Sequence, residues 1–195
     1  IVGAGLAGLS AACRATELGL TPTVLEQGAA QDYLCNSRVT GGVVHFASES
    51  MLEPPEELAS KVQKITAGFT NRAVTLTLAK DAKRAIEWLS TQGVRFVQIS
   101  PLARHRWVFA PLRLARPALE PEGWKRRSGD AVLNLLYRKV IERGGKIILG
   151  AQAKSLVVEE GRCIGVMATR GDTTERQVGE AVLLGTRRHL NAHKV

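Results

Sequence analysis

Three glycines spaced as Gly3-x-Gly5-x-x-Gly8 stand between an apolar pair, Ile1-Val2, and a helix-forming run from Leu9 to Gly19. A strand, then such a turn, then a helix is the arrangement that cradles a pyrophosphate. Gly3 permits the tight turn, Gly5 lets the backbone approach a phosphate, and Gly8 lets the helix pack close to the strand. The first turn of the helix that follows points its unpaired N–H groups and the positive end of its dipole at the phosphates. Thr23-Val24-Leu25-Glu26 reads as the next strand. Its terminal acid lies roughly 20 residues past the glycines, where a carboxylate bonds ribose hydroxyls and repels a 2′-phosphate. The chemistry these residues point to is dinucleotide binding. A glycine turn with a surface glutamate in an ordinary α/β protein is the bland alternative, and the full strand–glycine–helix–strand–acid context argues against it.

The elements that must position this motif are legible further along. After Glu26 a polar, irregular stretch, Gln27 to Leu34, leads to Cys35-Asn36-Ser37-Arg38-Val39-Thr40-Gly41-Gly42, whose small polar residues and paired glycines suit a loop passing close to a ligand. A glycine-containing turn before a strand is the bland alternative, but one short loop after the acid this segment can return to the cofactor's far end. Pro54-Pro55-Glu56-Glu57 opens a helix through Leu58, Val62 and Ile65, with proline and acids in its first turn. A second helix spans Asn71 to Gln92, with Leu76, Ala79, Ala82, Ala85, Ile86 and Leu89 on one face. Gly93 closes it. Val94 to Ile99 reads as a strand, and Pro101 to Trp124 as an irregular basic loop with Trp107-Val108-Phe109 as a short strand inside it. In that loop Arg104-His105-Arg106 reads as a solvated basic segment, with positive potential for an anionic substrate as its functional alternative. Ala131 to Arg143 is an amphipathic helix ended by Gly144-Gly145, and Lys146 to Leu149 a buried type of strand. Ala153 to Val158 and Cys163 to Met167 flank an acidic-glycine turn and form a hairpin or meander. Glu175 to Leu184 makes one more strand.

Composition narrows the classes. The 195 residues carry a net charge of +9 with 45% hydrophobic content, ordinary for a globular protein. The basic residues are scattered, and 5% aromatics are too few for a base-stacking platform, which argues against nucleic acid. No apolar run is long enough to cross a membrane. The three cysteines, Cys13, Cys35 and Cys163, are odd in number and widely spaced, giving neither a disulfide framework nor a metal site and pointing to a reducing cytoplasm. Cys35 carries a minor redox alternative to simple packing. The first strand keeps only Ile1-Val2 before Gly3, so the chain reads as trimmed at its front.

The motif set resembles a known family. Gly3-x-Gly5-x-x-Gly8-x-x-x-Ala12, with Gly19 and Glu26, resembles the FAD form of the fingerprint. Asn36-Ser37-Arg38-Val39-Thr40-Gly41-Gly42 is similar to the flavin-contacting segment of the fumarate reductase and succinate dehydrogenase flavoprotein superfamily. Within it the chain looks most like soluble members such as tricarballylate dehydrogenase, fumarate-reducing flavoproteins and ketosteroid dehydrogenases. Ala85-Ile86-Glu87-Trp88-Leu89, Gly93-Val94-Arg95-Phe96, Gly129-x-Ala131 and Gly161-Arg162-Cys163-Ile164-Gly165-Val166 extend the likeness to about Gly185. The resemblance implies an α/β, Rossmann-like FAD-binding domain over 1–195, a parallel sheet with helices plus a β-meander. It is incomplete at both ends and lacks a capping or substrate domain.

The resemblance also implies that Gly3, Gly5, Leu6, Ala7 and Gly8 cradle the pyrophosphate, and that Glu26, with Gln27 beside it, holds the adenosine ribose. Asn36, Ser37, Thr40, Gly41 and Gly42 would lie along the ribityl chain and isoalloxazine, and Ala153 would meet the adenine through its backbone. The segment before Gly41-Gly42 has no histidine, so FAD is expected to bind non-covalently; His45 follows the glycines. The implied activity is hydride transfer between flavin N5 and a small carboxylate, tricarballylate- or fumarate-like, with a steroid-like ketone second. No catalytic acid or base is assigned within these residues, and the electron partner is left open. Where relatives read Ala-Thr-Gly-Gly, this chain reads Gly185-Thr186-Arg187-Arg188, which puts close backbone approach to the cofactor there in question. Two rival readings stand beside this one: an NAD-dependent dehydrogenase using the same turn, and a truncated nucleotide-binding module without turnover.

Overall fold

The computed structural model describes residues 1–44, 53–98, 107–109, 125 and 127–186. Two compact units emerge, one of residues 1–38 and 133–195, the other of residues 39–132.

The first unit holds the glycine turn. Helix α1 (Leu6–Glu17) is followed by strand β1 (Thr23–Glu26), which pairs in parallel with β5 (Lys146–Leu149) in the register Val24 to Ile147. Ile1-Val2 extends this sheet as single parallel bridges from Val2 to Leu25 on one side and Leu184 on the other. Bonds from Leu25 N to the Ile1 carbonyl and from Val2 N to the Leu183 carbonyl, both 2.8 Å, hold it there. The helix begins at Leu6 rather than after the glycines, so Ala7 and Gly8 are helical and Gly5 is the N-cap.

An antiparallel meander completes the unit: β6 (Ala151–Glu159), β7 (Arg162–Arg170) and β8 (Thr173–Val178), in that order. The strand expected from Glu175 to Leu184 divides instead. Gly179 and Glu180 release the chain from the meander after Val178, and Leu184 joins the parallel sheet beside Val2. Alternation along the sequence does not reveal this transfer, because both halves are extended.

Side chains alternate across the sheet. Val2 and Leu25 pack with Ala151, Val166 and Ala168 of the meander, while Val24, of opposite parity to Leu25, is fully buried. Helix α1 buries Gly8, Leu9, Ala12 and Cys13. Helix α5 (Ser128–Glu142) contributes Leu133, Leu136 and Val140, all fully buried at spacings of three and four. The Cys13 thiol donates to the Leu136 carbonyl at 3.4 Å, joining the two helices. Leu136→Ala should therefore cost about 2–5 kcal/mol, read as a lower denaturation midpoint of the unit by circular dichroism.

The second unit pairs β4 (Trp107–Phe109) antiparallel with both β2 (Val43–Val44) and β3 (Phe96–Gln98). Phe96 and Phe109 meet at 5.4 Å between ring centroids. Helices α3 (Pro55–Ile65) and α4 (Arg72–Thr91) pack through Leu58, Ala59, Ala79 and Ala82. Asn71 caps α4, its side chain accepting from Val74 N at 3.2 Å. The buried face of α4 is Thr75, Ala79, Ala82 and Ile86; Ala85 is exposed, and so is Ile65 of α3. Thr75 is hidden despite its hydroxyl because that group bonds back to the Asn71 carbonyl at 3.0 Å.

Candidate functional site

The glycine turn runs from the Val2 bridge directly into α1. Gly3 has φ +91°, a conformation that side chains rarely adopt, and its N–H bonds the Leu25 carbonyl at 2.8 Å. Gly8 is required for a different reason. A Cβ there would fall 1.9 Å from the Gly3 carbonyl oxygen, so the helix can close on the turn only if this side chain is absent. Gly5 has extended backbone and, lacking a side chain, supplies no cap of its own to α1. With no acid in its first turn, the positive end of the helix can take an external anion.

Glu26 lies at the end of β1 and is buried. Its Oε2 accepts from Ala4 N and its Oε1 from Gly28 N, both at 2.9 Å. A carboxylate has about four acceptor positions, so each oxygen keeps capacity for a hydroxyl after binding one N–H. Glu26 thus clips the turn to the loop that follows the strand. Gln27 beside it is exposed.

Cys35 to Thr40 is not the open loop expected. Residues Asn36–Val39 form a short helix, α2, begun by Arg38 N bonding to the Cys35 carbonyl at 3.0 Å. The Ser37 hydroxyl accepts from Leu6 N at 3.2 Å, which brings α2 onto the first amide of α1. Asn36 is exposed. Gly3, Gly5, Leu6, Ala7, Gly8, Glu26, Gln27, Asn36 and Ser37 therefore share one unit and, Gln27 and Asn36 apart, surround one turn. Ala153 belongs to the same unit and packs against the Val2–Leu25 cluster, next to an irregularity in the β6–β7 register.

Thr40, Gly41 and Gly42 belong to the second unit. There Gly42 has φ +76°, its N–H bonds Thr40 Oγ1 at 3.3 Å, and its carbonyl accepts from Phe109 N at 2.9 Å. A Cβ on Gly42 would fall 2.4 Å from the Ser128 Cβ. His45, the basic segment at 104–106 and Arg187-Arg188 lie outside the described residues.

Sequence reasoning missed Gly185 as part of the turn. Its N–H bonds the Val2 carbonyl at 2.8 Å, and a Cβ on it would fall 2.9 Å from Gly8 Cα. The Thr186 methyl stands 3.0 Å from where a Gly3 Cβ would be. The signal was a glycine directly after the apolar run Ala181–Leu184. It was read only against the relatives' later glycines.

No group of acids, histidines and cysteines able to hold a metal occurs among the described residues. Burial pushes the Cys13 thiol to about 11 and also raises the Cys35 thiol. Burial thus keeps Cys13 as the neutral thiol near neutral pH and disfavours the Cys35 thiolate. Iodoacetamide at neutral pH should label Cys13 only after denaturation, and Cys35 more slowly than a free thiol, as read by peptide mass spectrometry.

A family model described as FAD binding domain matches residues 1–191. The chain belongs to this family. Its cofactor is FAD. The residues fit that group: the cradle closes only without side chains at Gly3 and Gly8, the first turn of α1 carries no acid, and a buried carboxylate follows at Glu26.

Over 103 residues the FAD-binding chain is 29% identical to an NADH:acrylate oxidoreductase of Vibrio harveyi, a match covering 51% of this chain and 9% of the relative. Solved structures show the same fold. The 3-ketosteroid Δ1-dehydrogenase of Sterolibacterium denitrificans superposes with a TM-score of 0.73 at 18% identity, over 91% of this chain and 45% of that one. The 3-ketosteroid Δ4-(5α)-dehydrogenase of Rhodococcus jostii RHA1 gives 0.70 at 14%, over 90% and 42%. A flavocytochrome c3 fumarate reductase gives 0.64 at 18%, over 86% and 29%. The chain thus spans less than half the length of these relatives. No helix among the described residues is long and apolar enough to cross a membrane.

Proposed function

We propose that the chain is the FAD-binding part of a flavin-dependent dehydrogenase or reductase acting on a small unsaturated or saturated carboxylate. The observation that carries this reading is the Glu26 clip. One buried carboxylate accepts from Ala4 N in the glycine turn and from Gly28 N beyond the strand, fixing a phosphate cradle and a hydroxyl acceptor in one rigid piece. Gly3, Gly5, Leu6, Ala7 and Gly8 hold the pyrophosphate through backbone N–H groups and the start of α1. Glu26, with Gln27 beside it, takes the ribose hydroxyls, and the backbone of Ala153 meets the adenine. Asn36 and Ser37 reach the flavin side, and on sequence grounds the assignment extends to Thr40, Gly41 and Gly42.

Residues 35–42 contain no histidine, so attachment is non-covalent. FAD, when bound, supplies the two-electron chemistry, and the protein supplies orientation and electrostatics. The net charge of +9 suits an anionic cofactor and an anionic substrate. The relatives named for acrylate and fumarate favour a small carboxylate, and those named for ketosteroids define the competing class.

The test uses FAD-loaded chain reduced with dithionite without oxygen, then mixed with fumarate, acrylate or a 3-ketosteroid. Return of flavin absorbance faster with a carboxylate than with the steroid is the expected result. Reoxidation by the steroid alone contradicts the assigned substrate class; reoxidation by none of the three favours the module without turnover of its own.

A further inference from the structure

Between Glu26 and α2 the chain runs through a polar stretch, yet Tyr33 is only 4% exposed and Arg38, inside α2, is fully buried. The Arg38 guanidinium lies over the Tyr33 ring, 4.7 Å from its centroid. It donates from Nη1 to Asn134 Oδ1 and from Nη2 to the Gln31 carbonyl, both at 3.1 Å. The Tyr33 hydroxyl in turn donates to the carbonyl of Ala4 at 2.5 Å, between the first two glycines of the turn. Gly28 makes room for this contact, since a Cβ there would fall 2.1 Å from the Tyr33 Cβ. Burial pushes the Tyr33 phenol upward, so it remains a donor throughout the neutral range.

A guanidinium used only to fill space is a poor choice, because an apolar side chain of similar volume avoids its desolvation. What arginine adds is a rigid planar fork that sets several partners at once and stacks on an aromatic face. Here the partners are α5 through Asn134, the 27–35 loop through Gln31, and the phosphate turn through Tyr33.

We infer that Arg38 is a positioning residue for FAD: acting through Tyr33, it fixes the Ala4 carbonyl, and with it the glycine turn, relative to the helix that carries Asn36 and Ser37. The inference rests on reading this turn as the FAD site. An extended dinucleotide gains from it because the two contact regions are then set at one spacing before the ligand arrives. The Ser37–Leu6 bond spans the same two elements directly, and the Arg38–Tyr33 pair braces them from behind.

The experiment measures FAD dissociation constants for the purified chain, Tyr33→Phe, Arg38→Lys and the double variant, with circular dichroism to verify folding. Each single change should weaken FAD about tenfold, and the double no more than about twentyfold, because the two residues act as one unit. At saturating FAD, the variants' bound-flavin band should also move toward that of free FAD, which a loss of global stability alone does not produce. Single variants that bind within twofold of the parent, or effects that multiply to about a hundredfold, overturn the coupling. A folded parent that binds no FAD overturns the site reading itself, and the positioning role with it. If Arg38→Lys fails to fold, Tyr33→Phe paired with Asn134→Ala reads the same network under the same criteria.

Discussion

Gly8→Ala is expected to abolish retention of FAD. The added methyl would sit 1.9 Å from the Gly3 carbonyl oxygen, and neither atom belongs to a flexible side chain that could swing away. Relief requires α1 to lift from the turn or the turn to open, and either movement displaces the N–H groups that face the pyrophosphate. Overpacking of this kind costs about 1–3 kcal/mol and sometimes more. The large effect falls on binding, because the cradle is lost as a unit: the FAD dissociation constant should rise by about a hundredfold or more, equivalent to ~2.7 kcal/mol. Gly19→Ala provides the comparison. Gly19 has φ +77° but nothing within 4 Å of an added Cβ, so it tests backbone strain without a clash and should leave FAD binding near that of the parent. Flavin fluorescence titration of the two variants reads the difference.

The second large effect is expected at Glu26. Both carboxylate oxygens accept from backbone N–H groups, of Ala4 and Gly28. Glu26→Gln preserves shape but turns one of those acceptors into an NH2 facing an N–H. The buried donor left without an acceptor costs about 1–3 kcal/mol, and the lost charge weakens the remaining bond. FAD affinity should fall by about ten- to a hundredfold, since the same residue is assigned both to the turn and to the ribose hydroxyls. Glu26→Asp keeps the charge but shortens the reach. A comparable loss in that variant would show that the span between Ala4 and Gly28 matters as much as the charge. Titration of ADP beside FAD locates the loss on the adenosine half if both ligands weaken equally.

Much of the fold was readable because its signals are local. The glycine spacing, the apolar stripes of α4 and α5, and the turn at Glu159-Glu160-Gly161 each determine their own element within about ten residues. The α/β class and the meander followed from them. What stayed hidden depends on the partner an element meets. The run from Glu175 to Leu184 is extended throughout, so only tertiary pairing reveals that it leaves the meander at Gly179 and joins Val2.

The same limit applies at the site. Gly3, Gly5, Gly8 and Glu26 announce themselves by spacing, whereas Tyr33 and Arg38 sit in a polar run whose composition suggests solvent. Their burial arises because Arg38 reaches Asn134, 96 positions along the chain, and Tyr33 reaches Ala4, 29 positions back. Gly185 belongs to the same category. It matters for its contact with Gly8, 177 positions away, and not for any pattern around it.

That this turn holds FAD, and holds it without a covalent bond, is open to direct test. The most direct measurement is the visible absorbance of the purified chain after incubation with FAD and desalting, followed by acid precipitation. Flavin bands should persist through desalting and pass entirely into the acid supernatant. A folded chain that emerges colourless, or flavin that stays in the protein pellet, would contradict it.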